Sequence, residues 1–128
     1  MPDPAGSYEL ILLEKGLWHV KYHGPISLET RKAALESFLA DMGDNIPWGM
    51  LIDLRDADMH LTLHDAFAWG NRLAAEIHFH GCRMVFLEAP ENAERSTFVE
   101  TVSRNRGGTT RVMTDWDDAM AWLREGPR

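Results

Sequence analysis

The architecture of this chain follows from residues 48–90, WGMLIDLRDADMHLTLHDAFAWGNRLAAEIHFHGCRMVFLEAP. The segment begins with WGMLIDLRD, an apolar run typical of a strand that is covered on both faces. A helical pattern, TLHDAFAWGNRLAAEI, comes next, and CRMVFLEAP then has the composition of a second buried strand. A strand, a helix and another strand in this order predict a crossover between two parallel strands.

The helix of this segment is predicted to begin at Thr62, whose hydroxyl suits an N-cap. We expect it to extend through Ile77, with His78 and His80 near its C-terminus and Gly81 ending it. Helical spacing assigns one set of small and apolar residues to the buried side. That set is Leu63, Ala66, Phe67, Gly70, Leu73, Ala74 and Ile77.

Upstream of this segment, residues 8–16 (YELILLEKG) and 17–24 (LWHVKYHG) predict two strands joined by a turn at Lys15-Gly16. Alternation in the second strand places Trp18, Val20 and Tyr22 on one face. We expect Gly24-Pro25 to break this strand. Residues 27–43 then predict a helix capped by Ser27.

Downstream of it, residues 92–108 predict a helix, residues 110–115 a short strand and residues 115–125 a last helix. The full order ββαβαβαβα predicts an α/β domain over residues 8–125, preceded by a flexible tail over residues 1–7. Its sheet would have five strands, mostly parallel, with an N-terminal antiparallel hairpin. About four helices would cover this sheet.

The composition excludes several classes of function. The chain has 128 residues and a net charge of −7, which argues against nucleic-acid binding because phosphate contacts need clustered Lys and Arg. It has neither a basic, apolar leader nor an apolar run of membrane-spanning length, so we expect no stable membrane insertion. Cys82 is the only cysteine, which fits a reducing compartment. We therefore expect a cytoplasmic protein.

Three segments of the chain resemble the SpoIIAA-like, or STAS-like, family, which is named for sporulation anti-sigma factor antagonists. They are ELILLEKGLWHVKYHGPIS (9–27), GMLIDLRDAD (49–58) and VMTDWDDAMAWL (112–123). The resemblance implies a right-handed βα superhelix in a single domain. It also implies a non-enzymatic module that binds a partner protein or, as in the branch likened to lipid-binding Sec14 domains, a small apolar ligand.

The resemblance further implies a phosphorylation site at the start of the helix after the central strand, where the family carries an Asp-Ser pair. The corresponding residues here, 56–65, read DADMHLTLHD and contain no such pair. Thr62 is the hydroxyl at this place. A phospho-regulated antagonist with Thr62 as acceptor is therefore one alternative function.

A second alternative is a small metal-dependent or acid/base enzyme, because acidic and histidine side chains cluster near the end of the central strand. In open α/β sheets that edge commonly binds ligands. The ligand-binding candidates are Asp53, Asp58, His60, Thr62 and His64. His60 and His64 have a metal-ligand spacing only if both lie on the helix, and a cap at Thr62 would leave His60 before it. We expect no metal, no cofactor and no catalytic residue.

Two tryptophans are candidates for an interaction surface. Trp69 falls off the apolar stripe of its helix, and Trp122 is offset from the stripe of the last helix. A large aromatic ring on a polar face suggests a surface covered by a partner or by a second copy in a homodimer. The alternative is that each ring lies flat over neighbouring Arg or Glu side chains.

Overall fold

The computed structural model describes residues 6–59, 61–94, 97, 100–101 and 109–125. The proposed tail is thus described only at residues 6 and 7, and the helix predicted over residues 92–108 falls largely outside the described part. Among the described residues, no helix is both long enough and apolar enough to span a bilayer.

Five strands form a single mixed sheet whose spatial order follows the chain, β1-β2-β3-β4-β5. β1 pairs antiparallel with β2, and all the other pairs are parallel, as the hairpin and the crossover pattern predict. The strands are β1 (Ser7–Glu14), β2 (Leu17–Ile26), β3 (Gly49–Met59), β4 (Arg83–Leu87) and β5 (Thr109–Met113). The α-helices that the structure describes from end to end are α1 (Leu28–Met42), α2 (Leu63–Ala75) and α3 (Trp116–Arg124). The predicted α/β fold is confirmed.

The predicted break of the second strand at Gly24-Pro25 is wrong. β2 continues to Ile26, and Gly24 and Pro25 lie opposite Ala57 and Asp58 of β3. The register shifts between Lys21 and His23, and Gly24 has a φ of +74°, a conformation that glycine adopts without a side-chain clash. The glycine and the proline lie within an irregular part of β2. They remain in the strand because β3 pairs with it in parallel over the same length.

The two faces of the sheet carry different cores. Helices α1 and α2 cover one face, where Phe38 and Trp69 pack against Val20 and Ile52 in the larger cluster. Helix α3 covers the other face in a smaller cluster. The buried members of that smaller cluster are Leu17, Leu51, Val85, Leu87, Ala119, Met120 and Leu123. β3 and β4 are therefore buried on both sides, which is why their sequences read as continuous apolar runs.

The predicted inward stripe of α2 is confirmed at Ala66, Gly70 and Leu73 but is wrong at Leu63 and Phe67, so the helix is rotated from the predicted orientation. Trp69, expected on the surface, is 3 % exposed and packs against the sheet, whereas Leu63 and Phe67, expected inside, are 72 % and 43 % exposed. The residues that α2 buries are Ala66, Trp69, Gly70 and Leu73. The large ring of Trp69 removes more apolar surface from water than the Leu63 side chain would, and this favours the observed rotation.

The end of α2 also differs from the prediction. The helix stops at Ala75, with Glu76 as its C-cap, and a short 3-10 helix follows over Ile77–Phe79. Ile77 is 71 % exposed, and Phe79 takes the buried position instead. The turn is supported by the Glu76 carboxylate, which accepts hydrogen bonds from the backbone and the ring of His78.

The turn between β1 and β2 gives a test of the fold. Gly16 has a φ of +83°, and a Cβ there would lie 2.2 Å from Cδ1 of Trp48, whose indole N–H donates to the Lys15 carbonyl at 2.7 Å. Gly43 has a φ of +52°, but a Cβ there meets no described atom within 4 Å. Gly16→Ala should therefore lower the free energy of unfolding by about 1–3 kcal/mol more than Gly43→Ala, because only the first change adds overpacking to backbone strain. Urea unfolding of both variants measures the difference, and equal losses would contradict the packed position of Trp48.

Candidate functional site

Asp53, a predicted ligand-binding residue, lies inside the protein on the α3 face of β3. Its side chain is 0 % exposed, and both carboxylate oxygens are hydrogen-bonded. Arg55 donates from Nε at 3.0 Å and from a terminal nitrogen at 2.9 Å, and Nε2 of His19 lies 3.1 Å from the second oxygen. The Trp116 ring of α3 covers the group, 5.7 Å from the Arg55 guanidinium carbon and 5.1 Å from the His19 ring. The cluster therefore ties β2, β3 and α3 together.

The electrostatic environment of this cluster favours the ionised form of the Asp53 side chain. Burial by itself raises the pKa of Asp53, but hydrogen bonds from His19 and Arg55 outweigh it and hold the pKa well below its ordinary value. A general base needs a pKa closer to the working pH and a free oxygen. Asp53 and its partner Arg55 both lie within β3, which extends to Met59.

The start of α2 is a capped helix end, as predicted from Thr62. The Thr62 hydroxyl accepts from the Asp65 backbone N–H at 3.0 Å, and the Asp65 carboxylate accepts from the Thr62 backbone N–H at 3.3 Å. This reciprocal pair is a capping box and satisfies two backbone donors that a helix end leaves open. His64 is exposed in the first turn, and Asp58 is exposed near the end of β3.

The proposed Asp/His cluster is thus divided in the structure. Asp53 is enclosed beneath α3, whereas Asp58, Thr62 and His64 are exposed around the carboxyl end of β3. His60 lies outside the described residues. Over the described ranges, no three His, Cys, Asp or Glu side chains come together in a way that would hold a metal ion.

Trp122 packs against neighbouring arginine side chains, which is the alternative to an interaction surface. It is half-buried, and the guanidinium groups of Arg83 and Arg111 lie 4.6 Å and 5.2 Å from its ring centre. Arg83 also donates to the Trp122 carbonyl at 2.7 Å. The ring is therefore covered by arginine side chains on the protein's own surface.

The most unusual buried group is Arg31, which the sequence interpretation missed. It is 2 % exposed and lies on the inner side of α1, at helical spacing between Leu28 and Leu35. The sequence of α1 does contain a signal for this burial. Arg31 stands at a position in the apolar stripe of α1 where an apolar residue would be expected. A charged residue within an apolar stripe predicts either a functional group or a snorkelling side chain, and here the charge remains inside.

Three aromatic rings surround the Arg31 guanidinium. Its carbon lies 5.2 Å from the ring centre of Trp69, 5.5 Å from that of Tyr22 and 5.5 Å from that of Phe86. Burial lowers the pKa of Arg31, and its interactions with Tyr22 and Glu88 offset part of this effect. Burial likewise raises the pKa of Tyr22, and Arg31 opposes it. We refer to the space beside this group, between α1, α2 and the sheet, as the Arg31 pocket.

Because Trp69 points inward, α2 presents a different pair of residues to solvent. Leu63 and Phe67 are one helical turn apart and are exposed on the same side of the helix. We call this pair the α2 patch. It lies directly after the Thr62 cap, at the carboxyl end of the sheet. Exposed apolar neighbours of this size are a common feature of interaction surfaces.

No protein-family model matches the chain, and no curated protein matches it in sequence. Solved structures do match. An uncharacterised protein with a SpoIIAA-like fold from Shewanella loihica PV-4 superposes with a TM-score of 0.58 at 19 % identity, over 93 % of this chain and 94 % of that one. An anti-sigma factor antagonist from Mycobacterium paratuberculosis gives the same four values. At this identity the likeness shows the fold alone, and the fold is SpoIIAA-like, as the sequence resemblance implies.

The Asp53 ion pair predicts how stability changes with pH. The carboxyl has a lower pKa in the folded protein than its ordinary value of 3.8, so the pair contributes fully above that value and is lost as the pH falls through the folded pKa. Asp53→Asn should lower the free energy of unfolding by about 2–3 kcal/mol at neutral pH. The difference in free energy of unfolding between this variant and the unmodified protein should be smaller at about pH 3 than at neutral pH, as measured by urea unfolding.

Asp56→Asn is the matched control, because Asp56 is 60 % exposed and its contact with Lys21 is 3.5 Å long. Such a surface pair contributes about 0.5 kcal/mol. If the loss of unfolding free energy caused by Asp53→Asn is the same at both pH values, the carboxylate charge is not what stabilises the cluster.

Proposed function

We propose that this protein is a non-enzymatic cytoplasmic module that binds a partner protein through the α2 patch. The observation that carries the proposal is the orientation of α2, which leaves Leu63 at 72 % and Phe67 at 43 % exposure while Trp69 is buried. Exposing two large apolar side chains on one helix turn gives up the free energy that their burial would contribute. A surface that gives up this energy in the free protein can recover it in a complex.

The position of the patch also supports a binding role. Leu63 and Phe67 follow the capping box of Thr62 and Asp65, which holds the first turn of α2 in place. A rigid helix start presents its side chains with little loss of conformational entropy on binding. Ile46, in the connection before β3, is exposed without such a neighbour, whereas β1 carries a second exposed apolar group formed by Ile11, Leu12 and Leu13.

The fold likeness is consistent with this proposal. One structure with the same fold is an anti-sigma factor antagonist, a type of protein defined by its effect on another protein. For this chain, the corresponding class of function is partner binding without catalysis. A homodimer remains a prediction, which sedimentation velocity over a wide concentration range would test.

Regulation by phosphorylation of Thr62 is the alternative that the geometry favours next. The hydroxyl is exposed, and it lies immediately before Leu63 of the α2 patch. A phosphate there would replace the capping hydroxyl and bring negative charge beside Asp65 and the apolar patch. The metal or acid/base alternative has less support, because Asp53 is enclosed in its ion pair with Arg55.

Replacing the α2 patch should remove partner binding and leave the fold intact. Leu63→Ser and Phe67→Ser change exposed side chains, so each should alter the free energy of unfolding by only about 0.5 kcal/mol. Affinity capture from lysate of the source organism, quantified by mass spectrometry, should show proteins that bind the unmodified chain and are lost with both variants. Titration calorimetry with each purified candidate should then show at least about tenfold weaker binding for the variants.

Ile46→Ser is the matched control, because Ile46 is 62 % exposed and lies away from α2. A true partner should bind this variant like the unmodified protein. If purified partners bind the Leu63→Ser and Phe67→Ser variants as tightly as the Ile46→Ser variant, the α2 patch is not the binding surface.

A further inference from the structure

β1 is an edge strand of the sheet and carries exposed apolar side chains. It is first in the spatial order, and the described part of the chain places no strand against its outer side. Ile11, Leu12 and Leu13 are 37 %, 42 % and 38 % exposed, and we call these three residues the β1 group. The backbone N–H and C=O groups on the outer side of an edge strand can pair with a strand of another chain.

β1 has few of the features with which proteins protect an edge strand from such pairing. These features include a short strand, Lys or Pro within the strand, and a bulge. β1 extends over eight residues, Ser7–Glu14, and its sequence SYELILLE contains neither Lys nor Pro. Its pairing with β2 is irregular between Leu12 and Glu14, next to the turn. Most of its outer side is therefore that of a regular strand.

The other edge of the sheet is β5, and a side chain of the protein itself covers part of it. β5 is last in the spatial order. The backbone N–H of Val112 donates to the Glu100 carboxylate at 2.6 Å. A carboxylate bound to an edge N–H group occupies a position that an added strand would need. A further strand would therefore add to β1 more readily than to β5.

The two faces of β1 are covered unequally. Tyr8 and Leu10 pack against the larger apolar cluster beneath α1 and α2. Ile11 lies opposite His19, whose ring contacts Trp116 on the α3 side of the sheet. The smaller cluster that α3 covers includes no residue of β1 among the described residues. Ile11 therefore lies on an open part of this face, which a neighbouring strand would cover.

The charges along this edge fit a second copy of the same strand. Two identical strands can pair antiparallel about a two-fold axis, and an axis at Leu12 brings Ile11 of one copy opposite Leu13 of the other. The same register brings Glu9 opposite Lys15, and both of these side chains are exposed. Opposite charges in cross-strand pairs are stabilising, and long side chains also reach diagonal positions. The two-fold axis makes this ion pair form twice.

We propose that the protein forms a homodimer in which β1 pairs antiparallel with β1 of a second copy, centred on the β1 group. The product is one continuous sheet with five strands from each copy. Backbone hydrogen bonds and apolar contacts stabilise the pairing, and the Glu9–Lys15 pairs determine its register. The assembly closes at two copies, because each copy uses its open edge and Glu100 partly covers the other one. The β1 group and the α2 patch lie on different elements, so this proposal does not depend on the partner proposed above.

Leu12→Lys tests the surface, because the two-fold axis would bring the two added charges together. Sedimentation velocity over a wide concentration range should show a reversible monomer–dimer equilibrium for the unmodified protein. Leu12→Lys should weaken dimerisation by about tenfold or more, because like charges oppose each other in the new strand pair. Ile77→Lys is the matched control, because Ile77 is 71 % exposed and lies in the short helix after α2. It should dimerise like the unmodified protein.

Charge reversal tests whether the occupant is a second copy in this register. Glu9→Lys and Lys15→Glu should each weaken the homodimer by about threefold to tenfold, because each creates two pairs of like charge. An equal mixture of the two variants should dimerise more tightly than either variant alone. In the mixed dimer each variant supplies the charge that its partner needs at both ion pairs. Fluorescence-detected sedimentation with one variant labelled measures this mixed dimer.

Three results would overturn the proposal. They are an unmodified protein that stays monomeric throughout, a Leu12→Lys variant that dimerises as tightly as Ile77→Lys, and a mixture of the charge variants that dimerises no better than each alone. If Leu12→Lys does not fold, amide hydrogen exchange of the unmodified protein still decides. Exchange in residues 7–14 should slow as the dimer forms, and unchanged exchange would place the interface elsewhere. Leu63→Ser should dimerise normally, which separates this surface from the α2 patch.

Discussion

The packing of the Arg31 guanidinium against the Trp69 ring constrains the face of the sheet that α1 and α2 cover. A buried cation has to be compensated, and three aromatic faces provide part of that compensation. One of these faces belongs to α2, so α2 must turn Trp69 toward the sheet. Because residues three and four positions apart share a helix face, Ala66 and Leu73 follow Trp69 inward, and Gly70 lies one turn from Ala66 on the same buried side.

The same rotation determines which residues of α2 are available for binding. It places Trp69 in the wall of the Arg31 pocket and leaves Leu63 and Phe67 in solvent. The proposed partner surface and the Arg31 pocket therefore lie on opposite sides of one helix. The other face of the sheet is organised separately, since α3 covers the Asp53 ion pair and a smaller apolar cluster there.

Much of this fold could be predicted from the sequence, because hydrophobic periodicity and turn residues are local signals. The alternation of Trp18, Val20 and Tyr22, the turn at Gly16 and the cap at Thr62 depend on a few neighbouring residues and are confirmed. The strand through Gly24 was missed, since its pairing is decided by β3, which lies some thirty residues further along the chain.

The candidate sites were harder to predict, because burial of a polar group depends on partners that are distant in sequence. Asp53 was predicted at the carboxyl edge, but its hydrogen bond to His19 spans 34 residues and encloses it. The rotation of α2 differs from the prediction for a similar reason. The sequence of α2 alone favours Leu63 and Phe67 as buried residues, whereas Arg31 of α1 contacts the Trp69 ring and favours the observed rotation.

A double-mutant cycle between Arg31 and Trp69 tests this central contact most directly. The free energy of unfolding is measured by urea denaturation for the unmodified protein, Arg31→Met, Trp69→Leu and the double variant. A desolvated contact of a cation with an aromatic face predicts a coupling energy of about 1–2 kcal/mol. Additivity of the two changes to within about 0.5 kcal/mol would contradict the account, because it would mean that Arg31 does not determine the orientation of α2.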